Sequence, residues 1–258
     1  MGSIVELLVL ALAGAATWRL TRRLRPPLAR GLLLAAAALL VLAVGFAGVS
    51  IWASHDPGVR LEPADWQRPH PGVVRLLDAA ARLGFEPVGP PCRADDPARM
   101  VLWGHVHRSL PIYATVFDAD SPYGGRTALD LISPLADGRG VLISASEVWE
   151  GVMPPYPGEF RQIVPGASPD ELLSLHRSAL AFLSGHSLAA RGVWAAGWER
   201  DLRDVEGRRR RQFLGWPLAT SARVVVRSLV GGSPHLGPLA AQPSVSRQLR
   251  RASAPVSR

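Results

Sequence analysis

Two histidines separated by one residue open the search for chemistry. His105-Val106-His107 lies in a stretch rich in β formers, Arg99–His107. On a strand, residues i and i+2 point to the same face, so the pair could present two imidazole nitrogens to one metal ion. A catalytic zinc site also wants a third protein ligand. His176, His186, Glu147 or Glu150 could supply it, and no spacing singles one out. The competing reading of His105 and His107 is an exposed pair at a strand end.

Other candidates carry less. His176 sits between Leu175 and Arg177 in a helical pattern, where a partly buried imidazole bonded to a backbone carbonyl is the expected state. Asp118 and Asp120 flank a turn, a position Asp favours for backbone reasons, and with Asp130 they give no clear acid–base pair. Ser144 and Ser146 lack a nucleophile-elbow pattern. Gly124-Gly125-Arg126 has the glycines of a phosphate loop, but no helix start follows to supply the amide cradle. The single cysteine, Cys92, cannot form a disulfide within the chain. Arg93 beside it is countered by Asp95 and Asp96, so a buried or half-buried thiol is expected. All 29 basic residues are Arg. An Arg stays protonated in proteins, so amine chemistry and a lysine nucleophile are excluded. No cofactor motif is present.

Charge is distributed in blocks. The formal net charge is +8, but residues 1–53 carry +4, residues 54–206 carry −6 and residues 207–258 carry +10 with no acid. The pI of about 11.1 therefore comes from the ends of the chain. A nucleic-acid-binding domain would carry its basic stripe on the folded surface, so nucleic acid is not an expected partner. The Arg208–Arg211 run and the tail beyond it suit a solvated helix end. Set on anionic lipid they would serve a cytoplasm-facing membrane protein, and only Phe213 and Trp216 interleave as stacking aromatics.

The elements that position these residues follow from periodicity. Gly31–Ala53 is a 23-residue run without a charged side chain, and Ile4–Trp18 is a shorter apolar run interrupted by Glu6. A bilayer-crossing helix needs about 20 apolar residues. Between the runs lie Arg19, Arg22, Arg23, Arg25 and Arg30, which belong on the cytoplasmic side, with Pro26-Pro27 breaking the helix. Trp18 and Trp52 then mark the membrane interface. The expectation is a two-helix transmembrane hairpin, residues 1–53 with spans at 4–18 and 31–53. It would make this a multi-pass protein of the cytoplasmic (inner) membrane with its body outside.

Residues 54–71 contain four prolines and form a linker. Apolar spacing predicts a helix over Gly72–Gly84. Strands are expected at Arg99–His107, Pro111–Asp118, Arg126–Ile132 and Gly140–Ser146, joined by short Gly- and Asp-containing turns that favour antiparallel neighbours. Val152–Pro165, with four prolines, reads as a loop. Ser168-Pro169-Asp170-Glu171 carries a capping box with Pro at the first helical position, and predicts a helix to Ser184. A last helix is expected over Ser187–Arg211, followed by a basic and largely disordered tail in 207–258.

The expected fold is α+β: the membrane hairpin, then a domain over 72–206 in which helices pack one face of a four-stranded antiparallel sheet, in the order α-β-β-β-β-α-α. The function this supports is a non-catalytic, membrane-anchored extracytoplasmic binding or scaffolding module. Its expected partners are the lipid bilayer, an envelope protein and a second copy through the hairpin. The alternative is a metal-dependent envelope enzyme built on His105 and His107.

Overall fold

The computed structural model describes residues 61–64, 69–94, 100–121, 124–136, 138, 140–146, 155–215 and 236–252. The chain divides into two compact units, Met1–Asp56 with Arg210–Gly232, and Pro57–Arg209 with Ser233–Arg258. Of the first, only 210–215, the end of a helix, is described. The second unit holds all the other described residues.

Its centre is one eight-stranded sheet. The strands are β1 (Leu61–Pro63), β2 (Phe85–Pro87), β3 (Cys92–Ala94), β4 (Val101–His107), β5 (Tyr113–Ser121), β6 (Gly124–Pro134), β7 (Val141–Ala145) and β8 (Glu159–Ile163). The order across the sheet is β1-β3-β4-β5-β6-β7-β8, with β2 also pairing β4. Every pairing is antiparallel except β7 with β8, where Ile143 lies opposite Arg161 in a parallel register.

Helix α1 (Pro71–Arg82) starts at His70, whose Nδ1 accepts the Gly72 N–H at 3.2 Å. It ends before Gly84, whose φ of +89° is open to glycine and strained for a residue with a Cβ. Helix α2 (Pro169–Ser184) starts as its sequence predicts: Ser168 Oγ accepts the Glu171 N–H at 3.3 Å and Pro169 takes the first turn. Helix α3 (Trp198–Gly215) follows a single 3₁₀ turn at Ala195–Gly197, and helix α4 spans Val245–Ala252.

Strand alternation sorts the core into two faces. Ala114 and Val116 of β5, with Leu129 and Leu131 of β6, join Val73 and Ala80 of α1 and Leu172 and Leu173 of α2. Tyr113 and Phe117, with Ala128 and Ile132, join Trp198, Leu202 and Val205 of α3. A third cluster gathers Phe160, Leu142, Ala179 and Leu183 with Leu239 and Val245 of the C-terminal segment.

The expected fold is corrected on these points. The four expected strands are present as neighbours β4 to β7, but the sheet is eight-stranded and mixed, and helices cover both of its faces. The stretch Val152–Pro165 contains β8, and Leu236–Ala252, expected to be disordered, is docked and partly helical. The helix expected from Ser187 begins at Trp198.

The membrane hairpin, and the multi-pass inner-membrane localisation built on it, do not stand either. Among the described residues no helix is long and apolar enough to cross a membrane. The described helices are amphipathic or polar: α2 carries Asp170, Glu171, His176 and Arg177 in 16 residues. The runs 4–18 and 31–53, with Trp18, Arg19, Arg22, Arg23, Arg25, Arg30 and Trp52, lie outside the described residues.

Candidate functional site

The two histidines of β4 do share a face, and backbone groups hold each of them. His107 Nδ1 lies 3.1 Å from the N–H groups of both Ser109 and Leu110, so it is an acceptor and the neutral ring carries its proton on Nε2. The ring also bonds the Leu83 backbone and meets Phe85 edge-on, with centroids 4.9 Å apart. His105 Nδ1 faces the Trp103 carbonyl at 3.2 Å and donates to it. Burial lowers the pKa of both rings, and the nearby Arg177 and Arg108 lower that of His107 further. Of the pair, His105 Nε2 is then the ring nitrogen that carries a lone pair without a hydrogen-bond partner among the described residues. Among the described residues no group of three or more His, Cys, Asp or Glu side chains converges on one point. Glu147 and Glu150 lie outside the described residues.

His176 turns to the same side of the sheet from α2 and is fully buried. Its Nε2 is 2.9 Å from Ser133 Oγ and its Nδ1 2.7 Å from Ser144 Oγ. Burial alone pulls its pKa down to about 3, so the ring is neutral. A neutral imidazole between two hydroxyls has the parts of a nucleophile and base, but all three side chains are fully buried.

The remaining candidates are dispersed. Ser146 Oγ exchanges hydrogen bonds with the Leu129 backbone at 3.1 Å in both directions. His186 Nδ1 bonds the Phe182 carbonyl at 2.9 Å. Asp118 and Asp130 sit on strands whose alternation sends them to opposite faces of the sheet, so they cannot form a dyad. Asp120 pairs with Gly125 through the backbone register, and Gly124-Gly125-Arg126 opens a strand, which leaves no amide cradle. Burial, aided by Glu199, raises the Cys92 pKa against the pull of Arg203, which makes an unreactive thiol.

A cleft on the α3 side brings together residues that sequence spacing did not single out. It is shallow, with a volume of about 40 Å³, and opens to solvent. The turn between β6 and β7 forms one wall, with Pro134, Leu135 and Val141. Val205 and Tyr156 form the floor, and Arg191, Asp201, Asp204 and Arg208 supply charge. The stretch before α3 places Arg191 by pairing back on β6: Ala136 N–H donates to the Ala189 carbonyl at 2.8 Å, and Arg191 N–H to the Pro134 carbonyl at 2.8 Å.

Arg191 Nη2 donates to Asp201 Oδ2 at 2.6 Å, while its buried Nε–H has no hydrogen-bond partner among the described residues. Arg200 approaches Asp201 Oδ1 at 3.3 Å. The Tyr113 hydroxyl lies 3.3 Å from Asp201 Oδ2 and 3.1 Å from the Trp194 carbonyl, and burial pushes its pKa up. Arg208 Nη2 donates to the Gly138 carbonyl at 2.8 Å and to Asp204 Oδ2 at 2.5 Å. Beside the cleft Trp194 is 47% exposed, with the guanidinium carbons of Arg191 and Arg200 at 5.6 and 5.3 Å from its ring centroid.

No family model, curated protein or solved structure matches this chain. Function is therefore argued from the cleft's own chemistry. Its bases are guanidiniums, which do not release protons, and its phenols are shifted away from neutrality. Its two carboxylates are each paired with an Arg. These side chains offer both signs of charge, with the indole of Trp194 beside them. Arg191 and Trp194 were not legible as site residues, because a lone Arg or Trp in an irregular stretch carries no chemical spacing. The one available hint was Asp201 on the otherwise apolar side of the last helix.

Proposed function

We propose that this unit is a non-catalytic binding module, and that its site is the cleft beside Trp194. The observation that supports this is the division of labour among its polar side chains. The histidines and serines that resemble catalytic groups are consumed inside the fold, while both signs of charge and an exposed indole meet at an open cleft.

The cleft joins an apolar floor to a few converging polar groups, and its volume of about 40 Å³ has room for the head group of a ligand, whose body would lie outside it. The (i, i+4) pair of Arg208 with Asp204 is worth only about 0.3–0.5 kcal/mol, so a competing carboxylate takes the place of Asp204 at little cost while the Gly138 carbonyl keeps the guanidinium in position. The reading is therefore a small carboxylate with an apolar body. Titration calorimetry with benzoate and hexanoate, against benzamide as the uncharged control, tests it. Binding of the acids but not the amide, weakened at least tenfold in Arg208→Ala, is the expected result. Equal binding of acid and amide, or no effect of the substitution, removes the reading.

A further inference from the structure

The last described segment of the chain sits on the sheet edge in the manner of a bound peptide. The Leu236 carbonyl accepts the Ile163 N–H at 2.8 Å and makes a backbone bridge to β8. Beyond it the hold passes to side-chain amides. Gln242 Nε2 lies 2.9 Å from the Arg161 carbonyl and 2.8 Å from the Gly237 carbonyl, and Gln248 Nε2 lies 3.4 Å from the Glu159 carbonyl. These amides occupy the outer edge of β8 where a further strand would otherwise pair. Two apolar anchors, Leu239 and Val245, are 1% and 2% exposed in a groove walled by Leu142, Phe160, Ala179 and Leu183. Gln162 Oε1 accepts the Leu239 N–H at 3.2 Å and fixes the register of the first anchor.

We propose that this groove and edge are a segment-docking site, and that a second copy of this chain supplies the segment. The Leu236–Ala252 stretch of one molecule docks on β8 of another with the contacts it makes on its own. Three observations carry this. The segment's bonds and anchors depend on its sequence and not on its covalent route to the groove. Residues 216–235 join it to α3, and 20 residues span up to about 70 Å when extended, enough to reach a neighbouring molecule. And β8 without its segment presents an apolar groove beside unpaired carbonyls, a surface that the same segment fits and that open sheet edges otherwise offer to other chains. Exchange replaces each contact by its identical counterpart, so concentration sets the balance.

The test uses the full chain. A fluorescent peptide of residues 236–252 is titrated with wild-type chain and with Leu239→Ser, whose own segment has lost its first anchor. The variant is expected to bind the peptide at least tenfold more tightly than wild type, and a peptide carrying the same Leu239→Ser change is expected not to bind. Sedimentation of the wild-type chain from about 10 µM to about 1 mM is expected to show growing dimer. Gln242→Ala, which removes the Gln242 amide bonds and keeps both anchors, takes the place of Leu239→Ser if circular dichroism shows that chain misfolded. A native variant that takes up no peptide, or a wild-type chain that stays monomeric at the highest concentration, overturns the proposal.

Discussion

Ser144 Oγ donates to His176 Nδ1 at 2.7 Å, and its neighbours fix that direction. The Leu239 N–H requires Gln162 to present its oxygen, so Gln162 Nε2 donates to Ser144 Oγ at 2.6 Å and the hydroxyl proton goes to the imidazole. On the other side Ser133 Oγ donates to the Pro111 carbonyl at 2.7 Å and accepts from His176 Nε2. One directed chain of hydrogen bonds thus runs from the C-terminal segment through β8, β7, α2 and β6 to the start of β5. An imidazolium there would send a proton at Ser144 from both sides.

That hydrogen-bond chain makes stability depend on pH. Folded, His176 stays neutral to about pH 3, whereas unfolded it takes a proton at its ordinary value of 6.5. Between these values the unfolded state binds more protons, so acid destabilises the fold by about 1.4 kcal/mol per pH unit, and above 6.5 the contribution is flat. No charged side chain adds to the shift. Urea denaturation of wild type and His176→Leu from pH 7 to pH 4 checks it. The variant should be about 2 kcal/mol less stable at pH 7, with two hydroxyls left short of a partner, and the gap should close with acid. Parallel pH profiles would contradict the neutral, buried assignment.

Glu159 anchors the opposite face. Its side chain is fully buried and accepts from Arg161 and from Arg209 of α3, the latter at 2.8 Å. Burial pushes the carboxyl pKa up, but Arg209 and Arg161 together outweigh it and hold it below the usual 4.5. Its contribution is thus present above pH 4.5 and fades as pH falls further, below most of the His176 window. Glu159→Gln strands the buried Arg161 charge, and a loss of about 3–5 kcal/mol is expected in equilibrium unfolding at pH 7.

Trp198 lies flat on Gly104 of β4, and its Nε1 donates to Thr115 Oγ1 at 3.2 Å. A Cβ at Gly104 would fall on the indole. Gly104→Ala should cost about 1–3 kcal/mol, and the double variant with Trp198→Phe should lose less than the two single losses combined. Strict additivity in thermal or urea unfolding would show that the ring moves aside freely.

His107 ties down the turn after β4 with one acceptor nitrogen, and a metal would have to displace both turn N–H groups to reach it. His107→Ala is expected to cost about 1–3 kcal/mol. Metal content of the purified chain, measured by atomic emission, is expected to be the same for wild type and for the variant with both His105 and His107 changed to Ala. A stoichiometric metal lost in the double variant would restore the enzyme reading.

The sequence by itself determined the local elements whose reasons are local. Alternation and tight turns placed β4 to β7, since neighbouring antiparallel strands need only short connections. The spacing from Ser168 to Glu171 determined the start of α2, because a cap is made within one turn. Charge blocks and the absence of Lys were equally plain.

Only the tertiary structure decided the rest. Glu159-Phe160-Arg161-Gln162-Ile163 carries three polar side chains that a strand buried on both faces should not have. It is a strand because Arg209, Ser144 and Leu239, distant in sequence, satisfy them. His176 is the same case: its fate was set by two serines on separate strands that no spacing along the chain could bring to it. The cleft formed where an irregular stretch pairs back on β6 and brings Arg191 to Asp201, and the C-terminal segment is held by amides that bond backbone carbonyls of β8. Local patterns write elements, while burial of polar groups is permitted only by partners that folding delivers from elsewhere in the chain.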